Sequence, residues 1–234
     1  MDPNVHRPFS KEIWTKILDS ELSYFDLKRV AATSTNFRML CKGPNFADRL
    51  FRGTPRARLA SGSQVTLHPI FTAGHTFVGK SVKEFKVKSI QSKKEWVIVK
   101  LACASEFATD PPVETIELQK YPESGDPPEW GTGIGGGGKL TVLSGVTVKD
   151  LLGEIAKAWR KKKVFESSVL GLDGEPDSEE EDAGEMTYLQ HLSLQNNRIW
   201  SKWSQLEITG QGNVLLSPCG YTPFAEVPDY DYYF

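Results

Sequence analysis

The residues that come nearest to chemistry are the run from Gly131 to Lys139, GTGIGGGGK, because glycine-rich turns closed by a lysine cradle phosphates with backbone N–H groups. Gly133 with Gly138-Lys139 satisfies GxxxxGK, and Gly131, Gly133 and Gly136 satisfy GxGxxG. Both matches fail on context. Leu140 stands where a Ser or Thr must reach magnesium, with Thr141 one position late, and Pro127-Pro128 precedes the run where a strand is required. Residues 131–138 therefore read as a Gly-rich loop leading into a strand, and no nucleotide or other cofactor is expected.

Nothing else in the chain assembles into a reactive set. His6, His68, His75 and His191 are scattered, and no GxSxG or related nucleophile motif accompanies them. His68 precedes Pro69, a setting commoner for a loop or core residue than for a base. Cys41, Cys103 and Cys219 lie far apart without CxxC or Cys-His pairing at zinc spacing, so no metal is expected and a reducing compartment is favoured. Arg160-Lys161-Lys162-Lys163 closes a helical pattern, where cations complement the macrodipole. Ser178, within DSEEED, has the surroundings of a phosphate acceptor and equally those of a solvated acidic loop. With no catalytic, cofactor-binding or metal-ligating residue to name, the chain reads as a binding protein and not as an enzyme.

Bulk properties narrow the partners. A net charge of −2 and a pI near 6.1 over 234 residues supply no basic field for nucleic acid or an acidic membrane. No stretch approaches the roughly 20 apolar residues of a membrane span, and the N-terminus carries no long apolar run, so a cytoplasmic or nuclear protein is expected. Charge is nevertheless segmented: Lys and Arg outnumber Asp and Glu over residues 1–59, whereas Asp173 to Glu185 holds eight acids and no base. Residues 171–185 bury too little apolar surface to order themselves and read as a mobile acidic loop.

The elements that would position a binding face begin at residue 9. Phe9, Ile13, Ile17 and Leu18 form one helical stripe with Ser10 placed to cap it. A second helix over Tyr24–Thr33 offers Phe25, Leu27, Val30 and Ala31 as buried positions. Ser34 caps a third segment carrying Phe37, Leu40 and Cys41, which stops at Gly43-Pro44, and a further turn from Asn45 buries Phe46, Leu50 and Phe51.

This stretch resembles an F-box, the adaptor-binding motif of substrate receptors in cullin RING ubiquitin ligases. Phe9-Ser10-Lys11-Glu12-Ile13 stands where the motif opens Leu-Pro-x-Glu-Ile; Ile17-Leu18 and Asp26-Leu27 match its Ile-Leu and Asp-Leu. Thr33-Ser34-Thr35-Asn36-Phe37-Arg38 stands where the motif reads Val-Ser-Lys-x-Trp-Arg, and Leu50-Phe51 closes it. Three positions depart: Ser10 for Pro, Thr33 for Val and Thr35 for Lys. A threonine hydroxyl buried without a partner costs on the order of 1 to 3 kcal/mol, so a weakened adaptor contact is expected at Thr33. The resemblance implies contact with a Skp-type adaptor, and through it a cullin, by Phe9, Ile13, Ile17, Leu18, Leu27, Thr33 and Phe37. Some of these must instead hold the core of the module, and the sequence does not separate the two sets.

From Val65 onward the pattern is β-rich, with short runs at Val65–Leu67, Phe77–Val78, Val82–Lys88, Trp96–Cys103 and Val113–Leu118. The strands are expected to be antiparallel. Trp96–Cys103 reads as a central strand, and Asp110-Pro111-Pro112 as the turn of a hairpin. Lys139–Leu143 reads as another strand. Thr147 and Asp150 then form a capping box for a helix whose stripe is Val148, Leu151, Leu152, Ile155 and Trp159. Thr147-Val148-Lys149-Asp150-Leu151-Leu152 with Trp159, following an N-terminal F-box, is also similar to segments of fungal F-box proteins. Tyr188–Trp203 reads as irregular or helical, with strands at Gln205–Ile208 and Val214–Leu216, and Pro228–Phe234 as an aromatic and acidic tail. No solenoid-length repeat is present.

The expected architecture is α+β. A three-helix F-box module at 1–59 precedes a mainly antiparallel β domain at 60–234 with one or two covering helices, which would recruit an unknown protein target. Two alternatives stay open: an F-box-containing interaction protein acting outside ubiquitination, and an α+β ligand-binding domain with an accessory F-box, whose sign would be a deep pocket of convergent polar groups.

Overall fold

The structure is a computed structural model. It describes residues 9–19, 22–71, 76–77, 81, 83, 85–88, 95–118, 132–133, 138–160, 162–164, 185–187 and 199–220. Most of the acidic segment 171–185, Ser178, Tyr188 to Arg198, the C-terminal aromatic tail, and His6, His75 and His191 lie outside those residues.

The chain opens with three short helices, α1 (Lys11–Asp19), α2 (Tyr24–Thr33) and α3 (Thr35–Cys41), and a 3-10 turn at Pro44–Phe46. Each helix is bounded by local chemistry. Ser23 and Asp26 form a capping box at α2, the Phe37 N–H donates to the Ser34 hydroxyl at α3, and Gly43-Pro44 ends the run. Leu18, Leu27, Leu40, Cys41, Phe46 and Leu50 make a compact core, with Trp14, Val30, Ala31 and Phe37 packed around it.

The strands are short and numerous: β1 (Thr66–Leu67), β2 (Thr76–Phe77), β3 (Lys86–Lys88), β4 (Glu95–Val97), β5 (Thr109–Asp110), β6 (Thr115–Leu118), β7 (Thr132–Gly133), β8 (Gly138–Thr141), β9 (Lys162–Val164), β10 (Glu185–Thr187), β11 (Ile199–Ile208) and β12 (Val214–Gly220). The main sheet runs β2-β11-β12-β6-β8, with β7 also pairing β12, and three two-stranded pairs, β1-β5, β3-β4 and β9-β10, stand apart from it. Helices together with antiparallel and mixed sheets make the fold α+β.

Four local expectations are corrected. The ladder between β6 and β12 is parallel, so the strands are not all antiparallel. Trp96–Cys103 is not a central strand: β4 ends at Val97, and 3-10 turns follow at Ile98–Lys100 and Ala102–Ser105. Ile98, Leu101 and Ala104 are buried at a spacing of three, the period of a 3-10 turn, which a run of apolar residues disguises as a strand. No hairpin forms across Pro111-Pro112, since β5 pairs β1 while β6 pairs β8 and β12; prolines lack the N–H to continue a ladder and here pass the chain between sheets. Ile199–Trp203 is strand, not helix, because it continues β11 against β12.

The β11-β12 connection is tight. The Thr209 N–H donates to the Asn213 carbonyl, and Gly212 adopts φ +80°, where a Cβ would come within 2.7 Å of the Leu59 carbonyl oxygen.

The helix α4 (Val148–Trp159) has the expected cap, with Thr147 and Asp150 bonding each other's backbone N–H. Val148, Leu151, Leu152 and Ile155 are fully buried in one core with Ile116, Leu118, Val214 and Leu216. Leu59 belongs to the same core, and its N–H donates to the Gly212 carbonyl at 2.9 Å. This packing predicts that Leu152→Ala costs about 2 to 5 kcal/mol in urea unfolding, whereas Thr147→Ala costs about 1 kcal/mol. Equal costs would show that α4 is held by its cap and not by its buried face.

Candidate functional site

Helix α1 is apolar on two faces. Trp14 and Leu18, four residues apart, face the helical core, while Ile13 and Ile17, also four apart, point outward with exposures of 45% and 44%, and Phe9, two residues before the helix begins, is 58% exposed. The outward row is braced from behind: Trp14 stacks edge-on against Phe9 at 5.5 Å and against Phe37 at 4.9 Å. Met39 of α3 is exposed as well. The sequence residues assigned to one contact surface therefore divide. Phe9, Ile13, Ile17 and Thr33 are exposed and Phe37 is half-buried, whereas Leu18 and Leu27 are core.

Thr33 carries no unsatisfied hydroxyl. Its Oγ1 donates to the Val30 carbonyl at 2.7 Å, one turn back in α2, so the penalty attached to replacing Val there is already met within the helix.

The helical unit meets the β part through one buried carboxylate. Glu106 accepts from the Tyr24 hydroxyl (2.7 Å), from the Lys28 ammonium and from His68 Nε2 (3.2 Å). His68 has no exposed surface, and its Nδ1 accepts the Ile70 N–H at 3.1 Å, which places the single proton of the neutral ring on Nε2, aimed at Glu106. Around the group stand the rings of Tyr24, Phe51 and Phe71, with Tyr24 at 4.8 Å and Phe51 at 4.7 Å from His68. Phe51 adopts φ +55°, a strained backbone for a non-glycine residue, and is held by this stacking and by the Phe107 N–H donating to its carbonyl.

Electrostatics follow from the geometry. Burial opposes the Glu106 charge, but the hydrogen bonds from His68, Lys28 and Tyr24 together with the lysine charge outweigh it and hold the carboxyl below its ordinary range. Burial pushes the His68 imidazole down, with Glu106 only partly compensating. The neighbouring Cys103 thiol is pushed up to about 12, first by burial and then by Glu106, so it is inert as a nucleophile.

Of the glycine run, Gly131 and residues 134–137 lie outside the described residues, and the remainder is strand where a loop is expected. Thr132–Gly133 and Gly138–Thr141 are strands, and Lys139 lies in β8 with its ammonium 3.4 Å from Glu117 on β6. No group of three His, Cys, Asp or Glu side chains is placed to hold a metal among the described residues, and no described helix is long and apolar enough to cross a membrane. Comparison with protein-family models, with curated proteins and with solved structures gave no match.

The sequence did carry signals for the junction. Tyr24 and Lys28 sit at i and i+4 on one face of α2, and Glu106 is the single charge inside the otherwise small or apolar run Leu101–Ala108. What no spacing announces is that these two segments, some 80 positions apart, meet.

The junction fixes a direction for acid sensitivity. His68 binds its proton more weakly folded than unfolded, so its share of stability is present above 6.5 and declines as pH falls below it; the Glu106 share is present above 4.5 and declines below that. Urea midpoints should therefore fall from pH 7 to pH 4, and His68→Gln should remove the upper part of that decline. Glu106→Gln should cost about 2 to 3 kcal/mol at pH 7 by leaving Lys28 without its anion. Unchanged midpoints in both variants would refute the junction as a source of stability.

Proposed function

We propose that this chain is a substrate-receptor subunit of a Skp-cullin-F-box type ubiquitin ligase, with the three-helix unit acting as an F-box and the β part recruiting a protein target. The observation that carries the proposal is the outward pair Ile13 and Ile17 on α1 together with Phe9 just before it, apolar residues left exposed beside a helix that already has Trp14 and Leu18 for its own core. A contiguous exposed apolar row on a small helical unit fits a helix-in-groove contact with a partner. Its position coincides with the opening and Ile-Leu elements of the F-box resemblance, so the occupant is a Skp-type adaptor, which in turn brings a cullin.

The receptor performs no bond chemistry in this role. It raises the local concentration of a target beside a charged conjugating enzyme and fixes its orientation, which needs two binding faces and no acid or base. A single carboxylate hub joining the two parts suits that task, because it keeps one face oriented relative to the other.

Purified Skp-type adaptor provides the test. The wild-type chain should be captured, and Ile13→Asp should weaken capture by roughly 30-fold or more with an unchanged circular dichroism spectrum, since a charge at an apolar contact must be desolvated. Leu27→Asp is the wrong probe, because Leu27 has no exposed surface and its charge would unfold the module. Failure of the wild type to bind, or full binding by a folded Ile13→Asp, rejects the assignment; adaptor binding without cullin assembly would place the protein outside ubiquitination.

A further inference from the structure

Where the helical unit, the connecting segment and the β part converge, a polar recess of about 660 Å³ opens to solvent. That is within the size range of sites that take a side chain or small ligand. Asp48 follows the 3-10 turn of the helical unit, Arg56 lies on the connection, Gln64 precedes β1, and Asp110 ends β5 beside Pro111. Four separate stretches of chain thus contribute to one cavity.

Its charges are not satisfied by one another. Among the described residues, no ion pair joins Arg56 to Asp48 or to Asp110, and no side-chain hydrogen bond engages either carboxylate. The Asp110 carboxyl is half-buried and sits above its ordinary range, first through burial and then through the facing Asp48, with Arg56 opposing. Two carboxylates from different elements against one cation leave the recess with net negative charge. The backbone beneath is fixed independently of these side chains: the Arg56 N–H donates to the Pro112 carbonyl at 2.9 Å, and the Thr66 hydroxyl donates to the Asp110 carbonyl.

We propose that this recess binds a basic side chain of a protein target, with arginine favoured over lysine. Two carboxylates presented by different segments suit a guanidinium, whose five donors serve both at once, whereas an ammonium is a compact and strongly hydrated point charge. Pro111 and Pro112 supply an apolar wall for the aliphatic stem of such a side chain. Arg56 at the rim disfavours unselective cation binding and leaves room for an acidic or carbonyl neighbour in the target. The identification of the ligand as a target side chain rests on the receptor function proposed above; the chemistry of the cavity does not.

The test is an amide-shift titration of the full chain with acetyl-Gly-Arg-Gly-amide, its lysine and citrulline counterparts, and agmatine as a free guanidinium, all without adaptor. The arginine peptide should give saturable shifts at Asp48, Thr54, Gln64 and Asp110, with the lysine peptide binding at least threefold more weakly and the citrulline peptide not saturating. Asp110→Asn and Asp48→Asn should each weaken the arginine peptide roughly tenfold, and Arg56→Ala should tighten it. Saturation by citrulline, persistence in the Asp48→Asn/Asp110→Asn double variant, or agmatine binding more tightly than the arginine peptide overturns the proposal, the last because a free small guanidinium would then be the better ligand. Ile13→Asp should leave this titration unchanged, so loss of adaptor capture and loss of peptide binding reject different statements.

Discussion

One buried carboxylate sets the relation between the two halves of this chain. Glu106 caps the 3-10 turn Ala102–Ser105 after β4 and accepts hydrogen bonds from two α2 residues and from His68. Withdrawing a carboxylate from water costs several kcal/mol, and attraction to one partner seldom recovers it. Three donors, one of them the Lys28 cation, do, and the carboxyl is held below its ordinary range despite burial. The surrounding rings exclude water and so strengthen each of these bonds, which makes the group costly to satisfy partially.

That constraint decides which faces of the helical unit remain available. Tyr24, Phe25 and Lys28 are committed to the β part, while Leu27 and Ala31 on the other side of α2 are committed to α1 and α3. Trp14 and Leu18 complete that inner core. Ile13 and Ile17, with Phe9 just before the helix, then form the apolar face of α1 turned away from both cores. A helix whose only purpose was to cover its own module would place polar residues there.

Legibility from sequence tracked the range of the interactions. The capping boxes, the Ser34 cap, the Gly43-Pro44 stop and the stripe of α4 are all local, and Thr147 with Asp150, Ser34, and Val148, Leu151, Leu152 and Ile155 of the stripe are residues that the fold uses. The second capping box, Ser23 with Asp26, has the same spacing as Thr147 with Asp150 and was equally open to reading. Sheet partners are not local, and that is where expectation failed: nothing in Val113–Leu118 announces a parallel neighbour a hundred positions away, and an apolar run cannot distinguish a central strand from buried 3-10 turns. Phe9, Ile13 and Ile17, which are exposed, share one sequence stripe with Leu18, which is core, because a spacing of four defines a face without saying which face meets the core.

The recess at Asp48 and Asp110 depends on the same junction. Asp48 belongs to the helical unit and Asp110 to the β part, so neither half alone contains the cavity. The connection between them is stitched down at Phe51 by the Phe107 N–H, at Arg56 by bonds to Pro112 and from Glu114, and at Leu59 by Gly212. The first of these anchors belongs to the ring cluster beside Glu106, since Phe51 packs against Tyr24 and His68. On the function proposed above, the buried junction and the binding surfaces are one mechanical problem, and Glu106 is the residue at which they meet.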